Sequence, residues 1–157
     1  MPDRTVRDKA LCYIVRDDKL LVFRHVDYSP EEVGVQAPAG SVKEGEDPRD
    51  AALREAREET GLHDFTVVRK LGVAEYDITP YRAELQRRHI FQLALHEETP
   101  DRWASTEDHD GNEPPTRFEC FWIPLEHGHV LQSGQGALLH RLFETRDPQH
   151  GRRKPTA

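Results

Sequence analysis

The 157-residue sequence has only two cysteines, Cys12 and Cys120, and each lies inside an apolar stretch. This scarcity excludes a disulfide-stapled scaffold or a cysteine-rich zinc module and predicts buried thiols in a reducing compartment. No apolar run approaches the roughly 20 residues needed to span a bilayer, and residues 1–9 are charged, without the apolar core of a signal peptide. A cytoplasmic protein with no membrane partner is expected. Basic residues are in deficit, with 22 Lys and Arg against 29 Asp and Glu for a net charge of −7. That balance disfavours coating nucleic acid, which needs clustered positive charge. An acidic chain that handles phosphates calls for metal cations. No internal repeat and no linker between two cores is visible, so residues 1–157 are expected to form one domain, with a basic, mobile tail over 147–157.

Residues 10–15 (ALCYIV) and 20–23 (LLVF), joined by Arg16-Asp17-Asp18-Lys19, predict a β-hairpin with a tight polar turn. Residues 28–34 predict a loop, 35–37 a short strand, and 38–45 a turn-rich connection. Strands are expected at 65–68 and 71–74, continuing through a bend, and at 89–96 and 118–123. Residues 97–116 are rich in Glu, Asp, Pro and Gly and predict a long polar loop bordering a functional cleft. Residues 136–144 (GALLHRLFE) have helical apolar spacing. The best helix runs between Asp47, a good N-cap followed by Pro48, and Gly61, a good C-cap. The expected fold class is α/β (α+β), a mixed central sheet with helices packed on it.

On a wheel of about 100° per residue, Glu55, Glu58 and Glu59 share an arc of roughly 100°, with Arg54 and Arg57 on the flank and not between the acids. Like charges at this spacing cost roughly 0.2–0.5 kcal/mol per pair unless a cation joins them. Mg²⁺ or Mn²⁺, hard ions that prefer oxygen ligands, suit such a group. Residues 54–59 alone are better read as a solvated helix face. The wider spacing decides: Gly40, Glu46, Arg54, Glu55, Ala56, Glu58, Glu59, Gly61 and Leu62 satisfy G-x5-E-x7-R-E-U-x-E-E-x-G-U, with U apolar.

This pattern over residues 40–62 resembles the box of the Nudix hydrolases, with Ala56 standing where the family commonly has a larger aliphatic residue. The resemblance implies an α/β/α sandwich and a divalent-metal-dependent pyrophosphohydrolase. It implies that Glu55, Glu58 and Glu59 ligate or organise metal, that Glu46 supports the loop and in some members reaches a metal through water, that a backbone carbonyl near Ala39 and Gly40 is a further ligand, and that Arg54 holds glutamates in place. The implied substrate is a small nucleoside diphosphate derivative. Ala37-Pro38-Ala39-Gly40 looks like the lead-in of enzymes acting on ADP-ribose and nucleotide sugars. Tyr76 and Tyr81 instead stand where dinucleoside-polyphosphate hydrolases often carry a tyrosine, and nucleoside triphosphates are a further alternative. A homodimer is common in such families, and a nucleotide or metal sensor without catalysis is the alternative of a different class.

The proton acceptor for attacking water is open among Glu58, Glu59, Glu113, Glu119 and the 107–110 cluster. Glu119 is favoured, because it lies in a strand beside Phe121 and Trp122, where an unpaired carboxylate is costly to bury. Arg24 and Arg88 are candidate phosphate binders, and Tyr28 and Phe118 candidate base-stacking residues. His127 and His129 lack a third ligand nearby and are read as loop.

Overall fold

The computed structural model describes residues 4–29 and 33–144. The proposed mobile tail lies outside the described residues. Among the described residues seven strands form one mixed sheet: β1 Thr5–Arg16, β2 Lys19–His25, β3 Ala39–Ser41, β4 Phe65–Asp77, β5 Glu84–Leu95, β6 Arg102–Glu107 and β7 Thr116–Pro124, with a single α-helix, α1, at Pro48–Thr60. The order is β4-β5-β1-β2-β7-β6, and β3 pairs with β1. Only β1 and β5 run parallel; the other pairings are antiparallel.

The expected hairpin is β1–β2. Asp17 and Asp18 both have positive φ, 51° and 62°, as a two-residue turn matched to strand twist requires. Pairing of β1 with β2 is confined to the turn end, at Val15↔Leu20 and Arg16↔Lys19. Beyond it β1 pairs with β3 through Lys9–Leu11, the Cys12 amide donates to the Pro38 carbonyl, and Gln36 bridges Phe23. The sheet therefore forks, and residues 36–41 fill the fork. The short strand expected at 35–37 is reduced to that single bridge, and the strand lies at Ala39–Ser41, where turns were expected; an unpaired β1 edge captures the backbone there.

Side-chain alternation divides the core between two faces. Ala10, Cys12, Ile14, Phe91, Leu93, Phe118 and Cys120 pack under Ala51, Ala52 and Ala56 of α1. Leu11, Tyr13, Leu20, Val22 and Ile90 pack on the other face against Leu125, Leu131, Leu138 and Leu139. That second layer consists of turns and short 3₁₀ segments, Leu125–Val130 and Leu139–Leu142. The helix expected over 136–144 is thus a single 3₁₀ turn: nine residues nucleate an α-helix poorly, and here they seat three leucines on the sheet after one turn. The 97–116 loop is also corrected, since β6 occupies 102–107 and completes the sheet edge. The two strands expected at 65–74 are one, β4, interrupted by register shifts after Val67 and Lys70. Among the described residues no helix is long and apolar enough to cross a membrane.

Candidate active site

Helix α1 begins and ends as its sequence dictates. The Asp47 carboxylate accepts from the Arg49 amide at 2.9 Å, and Gly61, at φ 76°, donates its N–H to the Arg57 carbonyl. These caps fix which helix faces meet the sheet and which meet the fork. Glu55 and Glu59 turn inward and are 7% and 8% exposed, while Glu58 stays open.

Arg54 ties the acids together. Its Nε and Nη2 donate to the two oxygens of Glu46 at 3.0 and 2.9 Å, Nη2 also donates to the Ser41 carbonyl at 2.9 Å, and Nη1 reaches Glu55 at 2.8 Å and Glu58 at 3.3 Å. The wheel expectation that Arg54 does not interleave the acids is corrected: a long side chain reaches where its Cα direction does not. Hydrogen bonds from Arg54 hold Glu46 down to about 2. Glu55 goes the other way, pushed up to about 7 by burial, with Arg54 offsetting part of the cost and Glu58 and Glu107 adding to it.

The carboxylate group is not quite the one expected. Ligand oxygens of Glu55, Glu58 and Glu107 lie within 4.8 Å of one another, in a cleft of about 430 Å³ also lined by Lys43, Arg54, Thr106, Asp108 and His109. Glu59 stands beside this group, within the field of all three acids: it accepts from the Ala39 amide at 2.8 Å, and burial, followed by the charge of Glu55, raises its pKa well above the ordinary carboxylate range. Glu59 thus pins the fork-filling segment, and Gly40 of that segment lies so close to Glu55 that a Cβ would collide with its carboxylate. Arg57 bonds the His63 carbonyl and takes no part.

Glu107 arrives through β6. Trp103, Ser105 and Glu107 alternate toward α1, where the Trp103 indole donates to the Thr60 carbonyl at 2.8 Å, and a Cβ on Gly61 would touch the Ser105 hydroxyl at 3.5 Å. The period-2 pattern was present in the sequence but hidden by polar composition. Burial raises the Glu107 pKa above its ordinary value.

Glu119 is not brought to this cleft. Phe118 and Cys120 face α1, so Glu119 points to the opposite face, where it pairs with Arg24 at 2.8 Å and Arg102 at 3.5 Å. That pairing relieves the burial cost that singled it out, and it also occupies Arg24. Phe118, 2% exposed, is packed against Phe23 with ring centroids 4.5 Å apart; it is a core residue with no face free for a base. Tyr28 is half exposed, edge-on to His25. Glu113 is an exposed neighbour of His109. Arg88 lines a different cavity, on the sheet face away from α1.

A mixed sheet opened at a fork, with a helix delivering buried glutamates beside a backbone turn, is the architecture of the Nudix enzymes. The family model for the NUDIX domain matches residues 5–142, and the chain belongs to that family, a pyrophosphohydrolase of the Nudix kind. Solved structures agree on the fold. A NUDIX hydrolase from Nitrosomonas europaea superposes with a TM-score of 0.64 at 17% identity, over 88% of this chain and 87% of that one. The MutT protein from Methanosarcina mazei Go1 gives 0.66 at 16% identity, over 94% and 100%. A UDP-X diphosphatase gives 0.63 at 18% identity, over 97% of this chain and 67% of the other.

Proposed function

We propose that the cleft between α1 and β6 hydrolyses the diphosphate linkage of a nucleoside diphosphate derivative, with Glu55, Glu58 and Glu107 holding a divalent cation. One observation carries this reading: three carboxylates from two elements bring oxygens within 4.8 Å of one another, although burial drives two of them toward the protonated form. Such convergence is unfavourable by itself and becomes favourable around a doubly charged ion of the Mg²⁺ or Mn²⁺ type. The donor set fits, being all oxygen, and the absent Cβ at Gly40 leaves Glu55 its place.

A bound divalent ion supplies neutralisation of diphosphate charge and greater acidity of water. The protein supplies position and proton transfer. Arg54 fixes Glu46, Glu55 and Glu58 in one network, and Glu59 fixes Ala39 so that the Gly40 backbone stays against Glu55. Glu58 is the exposed member of the three carboxylates, with its side chain 43% exposed, and in this reading it takes the proton of the attacking water. Lys43, at the cleft rim, offers a cation to the phosphate that departs.

The test is a screen of ADP-ribose, nucleotide sugars, dinucleoside polyphosphates and nucleoside triphosphates with Mg²⁺ or Mn²⁺, products being identified. The expected result is cleavage of a diphosphate bond in at least one class, abolished by chelation and reduced by about 10²-fold or more in Glu58→Gln. A confirmed substrate cut equally fast by Glu58→Gln would overturn the assignment.

A further inference from the structure

On the other side of Gly40 lies a second cavity, of about 360 Å³, whose walls include Lys9, Gly40, Tyr76, Gln86 and Arg88. Gly40 is common to both spaces, because it lines this cavity and abuts the Glu55 carboxylate of the acid cleft. A single stretch of backbone therefore separates the two.

Arg88 is a buried cation, 8% exposed. Its Nε donates to Gln86 at 3.0 Å, its Nη1 to the Ser133 carbonyl at 2.6 Å, and the Tyr76 ring covers it at 4.4 Å. These partners are all neutral. Among the described residues no carboxylate forms an ion pair with Arg88. Lys9, half buried, donates to the Ser41 hydroxyl at 2.8 Å and likewise has no carboxylate partner there. Glu84, on the Arg88 face of β5, is shared by Arg7 at 3.8 Å and Arg82 at 3.9 Å and accepts from Gln86 at 3.2 Å, so it reaches Arg88 only through that neutral amide. Burial lowers the pKa of both Lys9 and Arg88. A buried guanidinium with no carboxylate in contact is costly, because buried charges are ordinarily paired, and Lys9 beside it, though within the field of Glu84 and Glu55, adds a second positive charge to the same cavity. Tyr76 is wedged between Arg88 and Gly134, where a Cβ would strike its ring, so the cation is held in place and cannot swing out to solvent.

We propose that this cavity receives a second anionic group of the substrate, phosphoryl or carboxylate, carried beyond the diphosphate that is cut, with Arg88 and Lys9 as its counter-charges. The preferred substrates are then diphosphate derivatives charged at their far end, over conjugates of neutral sugars. The substrate preference rests on the hydrolase reading; the anion site does not.

Two measurements separate these. In excess chelator, which removes metal from the acid cleft, calorimetric titration of the protein with inorganic phosphate and with malonate is expected to show saturable binding. It should weaken by about tenfold or more in Arg88→Gln and in Lys9→Met, the expected worth of a charge-assisted hydrogen bond, and be unaltered in Glu58→Gln. Phosphate without malonate assigns the site to phosphoryl groups, and the reverse to carboxylates. No saturable binding, or binding equal in wild type and in Lys9→Met, overturns the site, and Lys9→Met keeps the test decisive should Arg88→Gln fail to fold. With Mg²⁺, UDP-glucuronate should have a lower KM than UDP-glucose, or a nucleoside tetraphosphate a lower KM than the diphosphate sugar, and Lys9→Met should bring the ratio toward one. Equal KM values for charged and neutral members in wild type would overturn the preference, while absence of turnover on every compound would count against the hydrolase reading and leave the chelator titration to decide the anion site.

Discussion

Replacing Gly40 with alanine tests the joint between the fork and the acid cluster. An ideal Cβ at this position falls well inside 3.0 Å of all three atoms of the Glu55 carboxyl group, a separation real Cβ atoms essentially never show. Ordinary carbon contacts begin at about 3.5 Å, so the carboxyl group must move by on the order of 1 Å. Backbone retreat is opposed by the pairing of Ala10 with Gly40 and by the bond from the Ala39 amide to Glu59. Overpacking of this kind costs about 1–3 kcal/mol, and for a chain of this length each kcal/mol lowers Tm by about 2–4 °C. A catalytic group displaced by about 1 Å costs on the order of 10²-fold. Gly40→Ala is therefore expected to fold, to melt a few degrees lower, and to lose about 10²-fold in kcat/KM together with much of its Mn²⁺ affinity, measured by differential scanning calorimetry, steady-state kinetics and metal titration. Gly34→Ala, whose Cβ would meet only Gln132 at an ordinary 3.4 Å, is the control and should match wild type. If Gly40→Ala kept wild-type turnover and metal affinity, the position of Glu55 would not matter to the chemistry and the account of the cleft would be refuted.

Glu107→Gln should lower kcat by about 10²-fold with little change in Tm, whereas Glu119→Gln, removing a partly exposed ion pair on the opposite face, should cost no more than about 1 kcal/mol and leave turnover within a few-fold; the reverse ranking would restore Glu119 as the base. Arg54→Lys replaces a fork that grips Glu46 through both oxygens by a single point charge, and should cost about 2 kcal/mol in urea unfolding and weaken metal binding; unchanged values would show the network to be dispensable. For the metal-free protein, Glu55 has a folded pKa of about 7 against 4.5 for the free side chain, and Glu59 is raised as well. Between those values the native state binds more protons than the unfolded chain, so stability falls as pH rises. In chelator Tm should be higher at about pH 5.5 than at about pH 8, and saturating Mg²⁺ should remove or invert that order; a chelated protein more stable at the higher pH would contradict the burial of these acids.

How much of this was legible in the sequence differs from element to element. The ends of α1 were, because Asp47, Pro48 and Gly61 act locally, through backbone hydrogen bonds and allowed φ values. The β1–β2 hairpin was legible for the same reason, its two aspartates accepting positive φ. The contact made by Glu59 and the arrival of Glu107 in the cleft were not. A helical wheel places Glu59 beside Glu55 and cannot foresee that the Ala39 amide, twenty residues earlier, claims its oxygen. Glu107 belongs to a strand whose inward residues, Trp103, Ser105 and Glu107, are mostly polar, so the hydrophobic signal for a strand was missing. Glu119 misled for the complementary reason: its neighbours Phe121 and Trp122 suggested burial, but Arg24, 95 residues away in the chain, neutralises it across the β2–β7 pairing. Arg88 was picked out as a phosphate binder by residue type alone; that, among the described residues, it meets no carboxylate directly and reaches Glu84 only through Gln86 is a property of the folded sheet.

The most direct test of the central claim is anomalous diffraction from crystals soaked in Mn²⁺. A peak bounded by the carboxylates of Glu55, Glu58 and Glu107, near the Gly40 backbone, is the predicted result. Manganese absent from that cleft at saturating concentration, or bound only elsewhere on the protein, would contradict it.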